Sequence, residues 1–309
     1  MFDIFDAVLP IFLIIALGTF FKKNWLKSEE FWRGLERLSY FVLFPAALFN
    51  SISSANFIFI EQAKLILALV ATKVIVTIGL MILWKKKNFD KVIFTSVFQG
   101  SIRFNNYIFF ALGTGLYGYE GMKIVSIISA YMIIFTNIVS VLMFNYYLPD
   151  NVSEETKIGN FIKLFYSLIS NPLVIASVAG FIFNYCEIVL PKLCSNFLLN
   201  LANCALTIGG ITVGANLKFI QLSGSKLLGI SVVTKLFIVP CITAILLAIF
   251  KVEGLDRLVA IVYSVLPCSS TSYILSKQLG GDPDSMTQII TMSTALSIIT
   301  IPTMLYILG

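Results

Sequence analysis

Histidine is absent from this chain of 309 residues, and charged residues make up only 12% of it. The sixteen aspartates and glutamates all fall in predicted loops or at the edges of apolar segments. These absences exclude zinc-dependent and Ser-His intramembrane proteases, and also aspartyl proteases, which need carboxylates inside the membrane. A sodium/proton antiporter built on an embedded carboxylate pair is disfavoured for the same reason. An enzyme is therefore not expected.

Other functional motifs are missing as well. No nucleotide-binding motif, cofactor site or metal site is predicted. The net charge is +6, but the basic residues lie in short loops, so a nucleic-acid partner is not expected. The N-terminus, MFDIFDAVLP, lacks the basic segment of a cleaved signal peptide. The cysteines form no CxxC pair and lie mostly in apolar runs, where cysteine is usually a small buried residue: Cys186, Cys194, Cys204, Cys241 and Cys268.

Apolar segments dominate what is present. Hydrophobic residues make up 58% of the chain, against about 45–50% in a soluble domain. A helix needs about 20 apolar residues to cross the hydrocarbon core of a bilayer. The sequence therefore predicts an all-α, polytopic membrane protein in a lipid bilayer, with ten transmembrane helices. The predicted spans are 4–21, 38–54, 62–84, 92–116, 122–147, 164–184, 194–215, 226–250, 258–277 and 286–308.

Positive charge is divided unequally between the two sets of connecting loops. Fourteen lysines and arginines fall in the loops that follow spans 1, 3, 5, 7 and 9, and five fall on the opposite side. Because cytoplasmic loops carry the excess of these residues, the first set is expected in the cytoplasm and both termini outside. The expected location is the cell (inner or plasma) membrane.

The two halves of the chain match each other at an offset of 162 residues. AKLILALVATK in the third span aligns with SKLLGISVVTK in the eighth, so that Lys73 corresponds to Lys235. Five spans per half is an odd number, so the second half enters from the opposite side, as in the inverted repeats of secondary transporters. We expect 1–150 to form the first five-helix repeat and 151–309 the second, in one membrane unit divided into scaffold and transport bundles.

Three charged side chains are predicted inside spans: Lys73, Arg103 and Lys235. Arg103 lies about eleven residues into the fourth span, which at ~1.5 Å per residue places it near the midplane. No span supplies a carboxylate to pair with it, so a substrate anion is the expected partner of its guanidinium. The alternative is that Arg103 bonds only carbonyls of a broken helix. For the lysines the alternatives are snorkelling or carbonyl pairing at symmetric depths, one toward each face, and a role in substrate binding or coupling.

Polar residues around Arg103 predict an interruption of the fourth helix. In GSIRFNN, Gly100 frees the backbone, and the two asparagines can bond unpaired backbone groups. The corresponding part of the ninth span, LPCSSTSY, has a helix-breaking proline followed by hydroxyls. Paired interruptions point to a transporter's substrate site, although polar runs can also serve helix packing alone. The predicted binding residues are Arg103, Asn105, Asn106, Pro267, Ser269, Ser270, Thr271 and Ser272, with Gly100 and Pro267 as helix-breaking residues.

In their longer form, FQGSIRFNNYIFFALGTGLYG and VYSVLPCSSTSYILSKQLGGD, these two segments resemble the auxin efflux carrier family of membrane transport proteins, which includes bacterial malate or malonate permease-like members. The resemblance covers the whole chain. It implies a five-plus-five inverted repeat with both termini outside, broken fourth and ninth helices that cross at the substrate site, and transport of organic anions. It assigns the fourth-helix asparagine to Asn105 or Asn106 and the ninth-helix proline to Pro267. Many members also have a proline in the fourth-helix crossing, and this chain has none between Lys91 and Tyr147.

The expected function is secondary transport of a small organic anion, a mono- or dicarboxylate, by alternating access. Arg103 would hold the carboxylate, and the asparagines and hydroxyls would add hydrogen bonds. A passive anion channel or a sodium-coupled organic-anion symporter of similar fold is the alternative. Proton coupling through Lys73 or Lys235, sodium binding and uniport driven by the membrane potential are all left open, as is a homodimer as one possible assembly.

Overall fold

The computed structural model describes residues 2–54, 59–87, 89–148, 166, 170–217 and 226–309. These residues form helices joined by short connections, and no β-strand occurs among them. Two of the elements are π-helical turns, π1 and π2. In chain order the elements are α1 (Phe2–Asn24), α2 (Glu29–Leu38), π1 (Ser39–Leu43), α3 (Phe44–Ser53), α4 (Phe59–Lys87), α5 (Lys91–Ile102), α6 (Asn106–Tyr147), α7 (Pro172–Tyr185), α8 (Lys192–Asn216), α9 (Lys226–Val233), π2 (Thr234–Ile238), α10 (Val239–Ile249), α11 (Gly254–Val265), α12 (Ser272–Gln278) and α13 (Pro283–Leu308).

Side-chain caps fix where several helices begin. A short polar side chain accepts a hydrogen bond from one of the first free N–H groups of the helix, which satisfies a donor that has no partner within the helix. Two of these caps are followed by proline at the first helical position, where the missing N–H costs nothing. The capping residues are Ser28 for α2, Asp90 for α5, Asn171 for α7 and Asp282 for α13.

Each π-helical turn comes just before a proline. π1 precedes Pro45, and π2 precedes Pro240. Proline has no N–H to donate to the carbonyl four residues earlier, and its ring clashes with that carbonyl. The helix widens by a residue at this point instead of ending. Lys235 lies in the widened turn π2, and such turns are frequent at functional sites.

Five helical segments in the described part of the chain are long and apolar enough to cross a membrane. One of them covers the predicted spans 4 and 5 together, and the other four correspond to spans 3, 7, 8 and 10. They support a polytopic α-helical membrane protein. The count of ten and the five-plus-five arrangement stay predictions. The first part of the predicted sixth span and the boundary between 1–150 and 151–309 lie outside the described residues. The segments are Gln62–Lys86, Lys91–Tyr147, Lys192–Asn216, Leu227–Ile249 and Pro283–Leu308.

The chain divides into two compact units, each assembled from separate stretches of sequence. Unit 1 comprises residues 1–58, 106–131 and 167–217. In it α1 packs along α8, and α3 packs against α7 and α8. The α1–α8 contact is very close, because a Cβ atom added to Gly18 or Gly214 would overlap the backbone of the facing helix.

Unit 2 comprises residues 59–105, 132–166 and 218–309. Here α5 packs against α9 and α13, and α4 packs against α10 and α11. Apolar and aromatic side chains from α4, α5 and α6 fill the space between these helices. The Tyr147 ring lies 4.6 Å from that of Trp84 and 4.9 Å from that of Phe94, both nearly perpendicular to it. This unit holds Lys73, Arg103, Lys235 and the LPCSSTSY segment.

Candidate functional site

The chain leaves the helical conformation between α5 and α6. Arg103 ends α5 with extended backbone angles (φ −77°, ψ 155°), and its N–H donates to the Gln99 carbonyl at 2.9 Å. Residues Arg103 to Asn105 are non-helical, and α6 begins at Asn106. A break of three residues therefore separates the two helices at the polar segment that the sequence singles out.

The sequence predicts that the break starts at Gly100, and the structure shows that it does not. Gly100 lies inside α5, which continues to Ile102. A Cβ atom at this position would overlap Ser231 Oγ and Ile289 Cγ2. Glycine is needed here for close packing of α5 against α9 and α13, and it does not itself interrupt the helix.

A second non-helical segment follows α11 and contains the predicted proline. Leu266, the residue before Pro267, has φ −63° and ψ 145°. Proline disfavours helical angles in the residue that precedes it, so α11 ends at Val265. The chain becomes helical again at Ser272, where α12 begins.

A backbone hydrogen bond connects the two breaks. The Asn105 N–H donates to the Pro267 carbonyl, with 3.0 Å between nitrogen and oxygen. Both residues are buried in unit 2. The two segments are distant in sequence, and this hydrogen bond places them side by side.

The Arg103 side chain makes a second connection between the breaks. Its Nη1 donates to Gln99 Oε1 at 3.3 Å, and its Nη2 donates to Thr271 Oγ1 at 3.1 Å. Arg103 is only 9% exposed. A buried guanidinium is thus held by neutral oxygens from α5 and from the segment after Pro267.

The hydroxyl groups of that segment form a small network. Ser269 Oγ and Thr271 Oγ1 are 2.8 Å apart, and the Cys268 thiol donates to Ser272 Oγ at 3.6 Å. The Cys268 N–H donates to Ser293 Oγ of α13 at 3.2 Å. Ser269, Ser270 and Thr271 are half-buried, whereas Ser272 is buried.

The two asparagines take different places. Asn105 is buried in unit 2, whereas Asn106 is the first residue of α6 and is grouped with unit 1. Asn106 Oδ1 has no hydrogen-bond partner among the described residues. Of the predicted binding residues, unit 2 therefore holds all except Asn106.

Lys73 and Lys235 meet at one aromatic ring, a correction to the expectation that each lies toward its own face of the membrane. The Lys73 Nζ lies 5.1 Å from the centroid of the Tyr263 ring, and the Lys235 Nζ lies 5.9 Å from it. Both lysines are 0% exposed. The Tyr263 ring also packs edge-on against Phe104, with 4.6 Å between ring centroids. Phe104 belongs to the α5–α6 break, so the lysine pair is joined to the break through two rings.

Two residues that contact the predicted site residues, Tyr263 and Gln99, are not among those predicted from the sequence. Gln99 stands four residues before Arg103, a spacing that brings side chains together on a helix. This spacing indicates from the sequence that Gln99 and Arg103 can contact each other. Nothing in the sequence indicates the contacts of Tyr263, because they come from α4, π2 and the α5–α6 break, which are far away in sequence.

Together the apolar helices define a polytopic α-helical membrane protein, and charged side chains are buried in unit 2. The chain matches the model of the family described as membrane transport protein over residues 3–305, and it belongs to that family, the auxin efflux carrier type. The resemblance found in its two motifs is thereby confirmed. The protein is an integral membrane protein of a transporter family. No curated protein matches the chain.

Proposed function

We propose that this protein is a secondary transporter that carries a small organic anion, a mono- or dicarboxylate, by alternating access. Its site lies where the α5–α6 break meets the segment after α11. The observation that carries the proposal is the Arg103 guanidinium, which is 9% exposed and reaches from the first break to Thr271 in the second. A guanidinium binds a carboxylate through two parallel hydrogen bonds. The neutral oxygens of Gln99 and Thr271 hold the guanidinium in place for a carboxylate.

The other site residues then have complementary roles. The Ser269 and Thr271 hydroxyls, 2.8 Å apart, would donate to carboxylate oxygens, and Ser270 and Ser272 extend the same polar segment. Asn105 is the last residue of the break and would bond backbone groups or the substrate, and Asn106, the first residue of α6, would bond backbone groups where the helix begins. Pro267 keeps the second segment non-helical and supplies the carbonyl that holds Asn105.

The composition of the two units supports an inverted repeat. In unit 1, residues 1–58 correspond to 167–217, and in unit 2, residues 59–105 correspond to the first part of 218–309, at the offset of 162 seen in the sequence. Each unit thus takes equivalent stretches from both halves. We propose that unit 2 is the transport bundle and unit 1 the scaffold, in a ten-span protein of the cell membrane with both termini outside.

Uptake into proteoliposomes tests this function. Purified protein would be reconstituted and supplied with radiolabelled mono- and dicarboxylates, with a membrane potential of either sign. Arg103→Gln is expected to abolish uptake, and Arg103→Lys to raise KM because the planar fork is lost although the charge remains. Arg33→Gln, an exposed position on α2, is the matched control and should behave as wild type. Unchanged uptake by Arg103→Gln would remove the assignment of the site.

Two further arms separate the alternative functions. Saturable counterflow, in which unlabelled anion inside drives uptake of labelled anion, is expected of a carrier, whereas a passive channel would give currents without counterflow. Replacing sodium with potassium should leave uptake unchanged unless the protein is a sodium-coupled symporter. A pH gradient tests for proton coupling in the same vesicles.

A further inference from the structure

Two buried lysine amines lie close together in unit 2. Neither Lys73 Nζ nor Lys235 Nζ has a hydrogen-bond partner in the part of the chain that the structure describes. Both side chains are 0% exposed. A protonated lysine amine carries three N–H donors and no acceptor.

The Tyr263 ring does not satisfy these donors. Its face attracts a cation within about 6 Å, and both Nζ atoms lie inside that limit, at 5.1 and 5.9 Å. The interaction is electrostatic and provides no acceptor lone pair. The ring therefore brings both amines to one place without accepting a conventional hydrogen bond from either.

The groups around the pair are neutral or positive. Thr72, the residue before Lys73, has its hydroxyl engaged, since its Oγ1 donates to the Ala68 carbonyl and accepts from Thr243 Oγ1. Electrostatic interactions connect each lysine with the other and with the Cys268 thiol, and they connect that thiol with Arg103. None of these groups is a carboxylate. Buried charges in proteins are normally paired with an opposite charge.

An anion is the ligand that fits this arrangement. It would accept hydrogen bonds from both amines and stabilise their protonated forms in the protein interior. A metal cation is disfavoured by the same charges. A neutral polar ligand would satisfy donors but leave the charge in place.

We propose that Lys73 and Lys235, on the face of Tyr263, form a second anion subsite beside the Arg103 site, and that it holds a carboxylate or a chloride ion. The proposal rests on the proposed function in one respect: the carboxylate would be the second one of a substrate whose first is bound by Arg103. The chloride would come from solution and accompany or exchange with the substrate. In either case the lysines bind a second negative charge during transport.

A measurement on the wild-type protein tests the subsite without any substitution. Detergent-solubilised protein would be heated at increasing chloride concentration, with methanesulfonate, which is not a carboxylate, keeping the ionic strength constant, and separately at increasing malonate and propionate. A ligand that binds only the folded state raises the unfolding temperature in a saturable way. We expect such a rise with chloride or with malonate. No saturable rise with either anion would overturn the proposal.

Substitutions assign the effect to the lysines and distinguish the two sources. Lys73→Gln and Lys235→Gln should each weaken anion binding by about tenfold or more, the scale of losing a charged hydrogen bond. Lys64→Gln, an exposed lysine on the same helix as Lys73, is the matched control. If the ligand is the second carboxylate, the lysine variants raise KM for malonate and not for propionate. If it is chloride, both substrates are affected equally and the chloride dependence disappears.

The outcomes separate failure of the subsite from failure of the transport function. Lysine variants that elute as monodisperse protein, with unchanged chloride stabilisation and unchanged KM for both substrates, would overturn the subsite and leave the role of Arg103 intact. Chloride stabilisation that is lost in the lysine variants, in a protein that carries no carboxylate, would support the subsite and reject the proposed function. If the variants do not fold, the wild-type titrations alone decide.

Discussion

The Asn105 N–H donates to the Pro267 carbonyl at 3.0 Å. Both residues lie in non-helical segments, and buried backbone groups outside helices need partners. Each break thus satisfies a group that the other leaves unpaired. The two breaks form one structural feature, and a change in either is expected to disturb the other.

Replacing Pro267 with alanine tests whether this geometry is needed for transport. Alanine restores a backbone N–H and removes the restriction on Leu266, so that α11 can extend past Val265. We expect kcat/KM for uptake to fall at least about tenfold, because a small displacement of a site costs much rate, while the unfolding temperature changes little. Pro191→Ala, at an exposed proline before α8, should retain uptake. Wild-type uptake by Pro267→Ala would show that the break does not depend on proline.

The contact between Arg103 Nη2 and Thr271 Oγ1, 3.1 Å long, makes a second prediction. Thr271→Val removes the hydroxyl at nearly constant volume, whereas Thr271→Ser retains it. Losing a hydrogen bond to a charged group costs about 1.5–3 kcal/mol, so we expect KM to rise about tenfold or more in the valine variant and little in the serine variant. Initial uptake rates over a range of substrate concentrations measure this.

A variant of Ser269 tests whether the higher KM of Thr271→Val comes from the lost contact with Arg103. Thr271 also pairs with Ser269, whose Oγ is 2.8 Å away. Ser269→Ala removes that partner and leaves the Arg103 contact in place. If Ser269→Ala and Thr271→Val raise KM equally, the hydroxyl network and not the arginine contact is responsible.

The break after α11 could be predicted because its cause is local. Pro267 restricts Leu266 through atoms of adjacent residues, and the sequence displays both. The buried position of Arg103 could be predicted for a similar reason, since it lies in the middle of an apolar run. Family membership followed from the same two segments.

The remaining features depend on residues that are far apart in the chain. The sequence predicts a break at Gly100, but glycine is needed there because a Cβ atom would overlap Ser231 and Ile289. The meeting of Lys73 and Lys235 at Tyr263 depends on the packing of α4, π2 and α11, and an offset between aligned segments contains no information about it. Sequence periodicity shows which positions are apolar. It does not show which distant side chains contact the same aromatic ring.

Gly100→Ala tests this packing explanation. The added Cβ would overlap Ser231 Oγ and Ile289 Cγ2, and overpacking of this kind typically costs about 1–3 kcal/mol. We expect a lower unfolding temperature in detergent. Gly79→Ala is the control, because nothing lies within 4 Å of a Cβ built on that exposed residue of α4, and it should be neutral or slightly stabilising. Equal unfolding temperatures for both variants would contradict the close contact.

Glu36 on α2, outside the membrane-spanning segments, predicts a pH-dependent stability. Burial raises the pKa of its carboxyl from the ordinary 4.5, while Lys22 and a hydrogen bond with Asn216 oppose the rise. The folded state therefore holds the proton more tightly than the unfolded chain, so this stabilisation is complete below pH 4.5 and is lost as the pH rises through the raised pKa. Glu36→Gln does not titrate, and we expect its unfolding temperature to exceed that of wild type increasingly across this window. Glu30→Gln, exposed on the same helix, should follow the wild-type profile, and a Glu36→Gln profile parallel to wild type would disprove the effect.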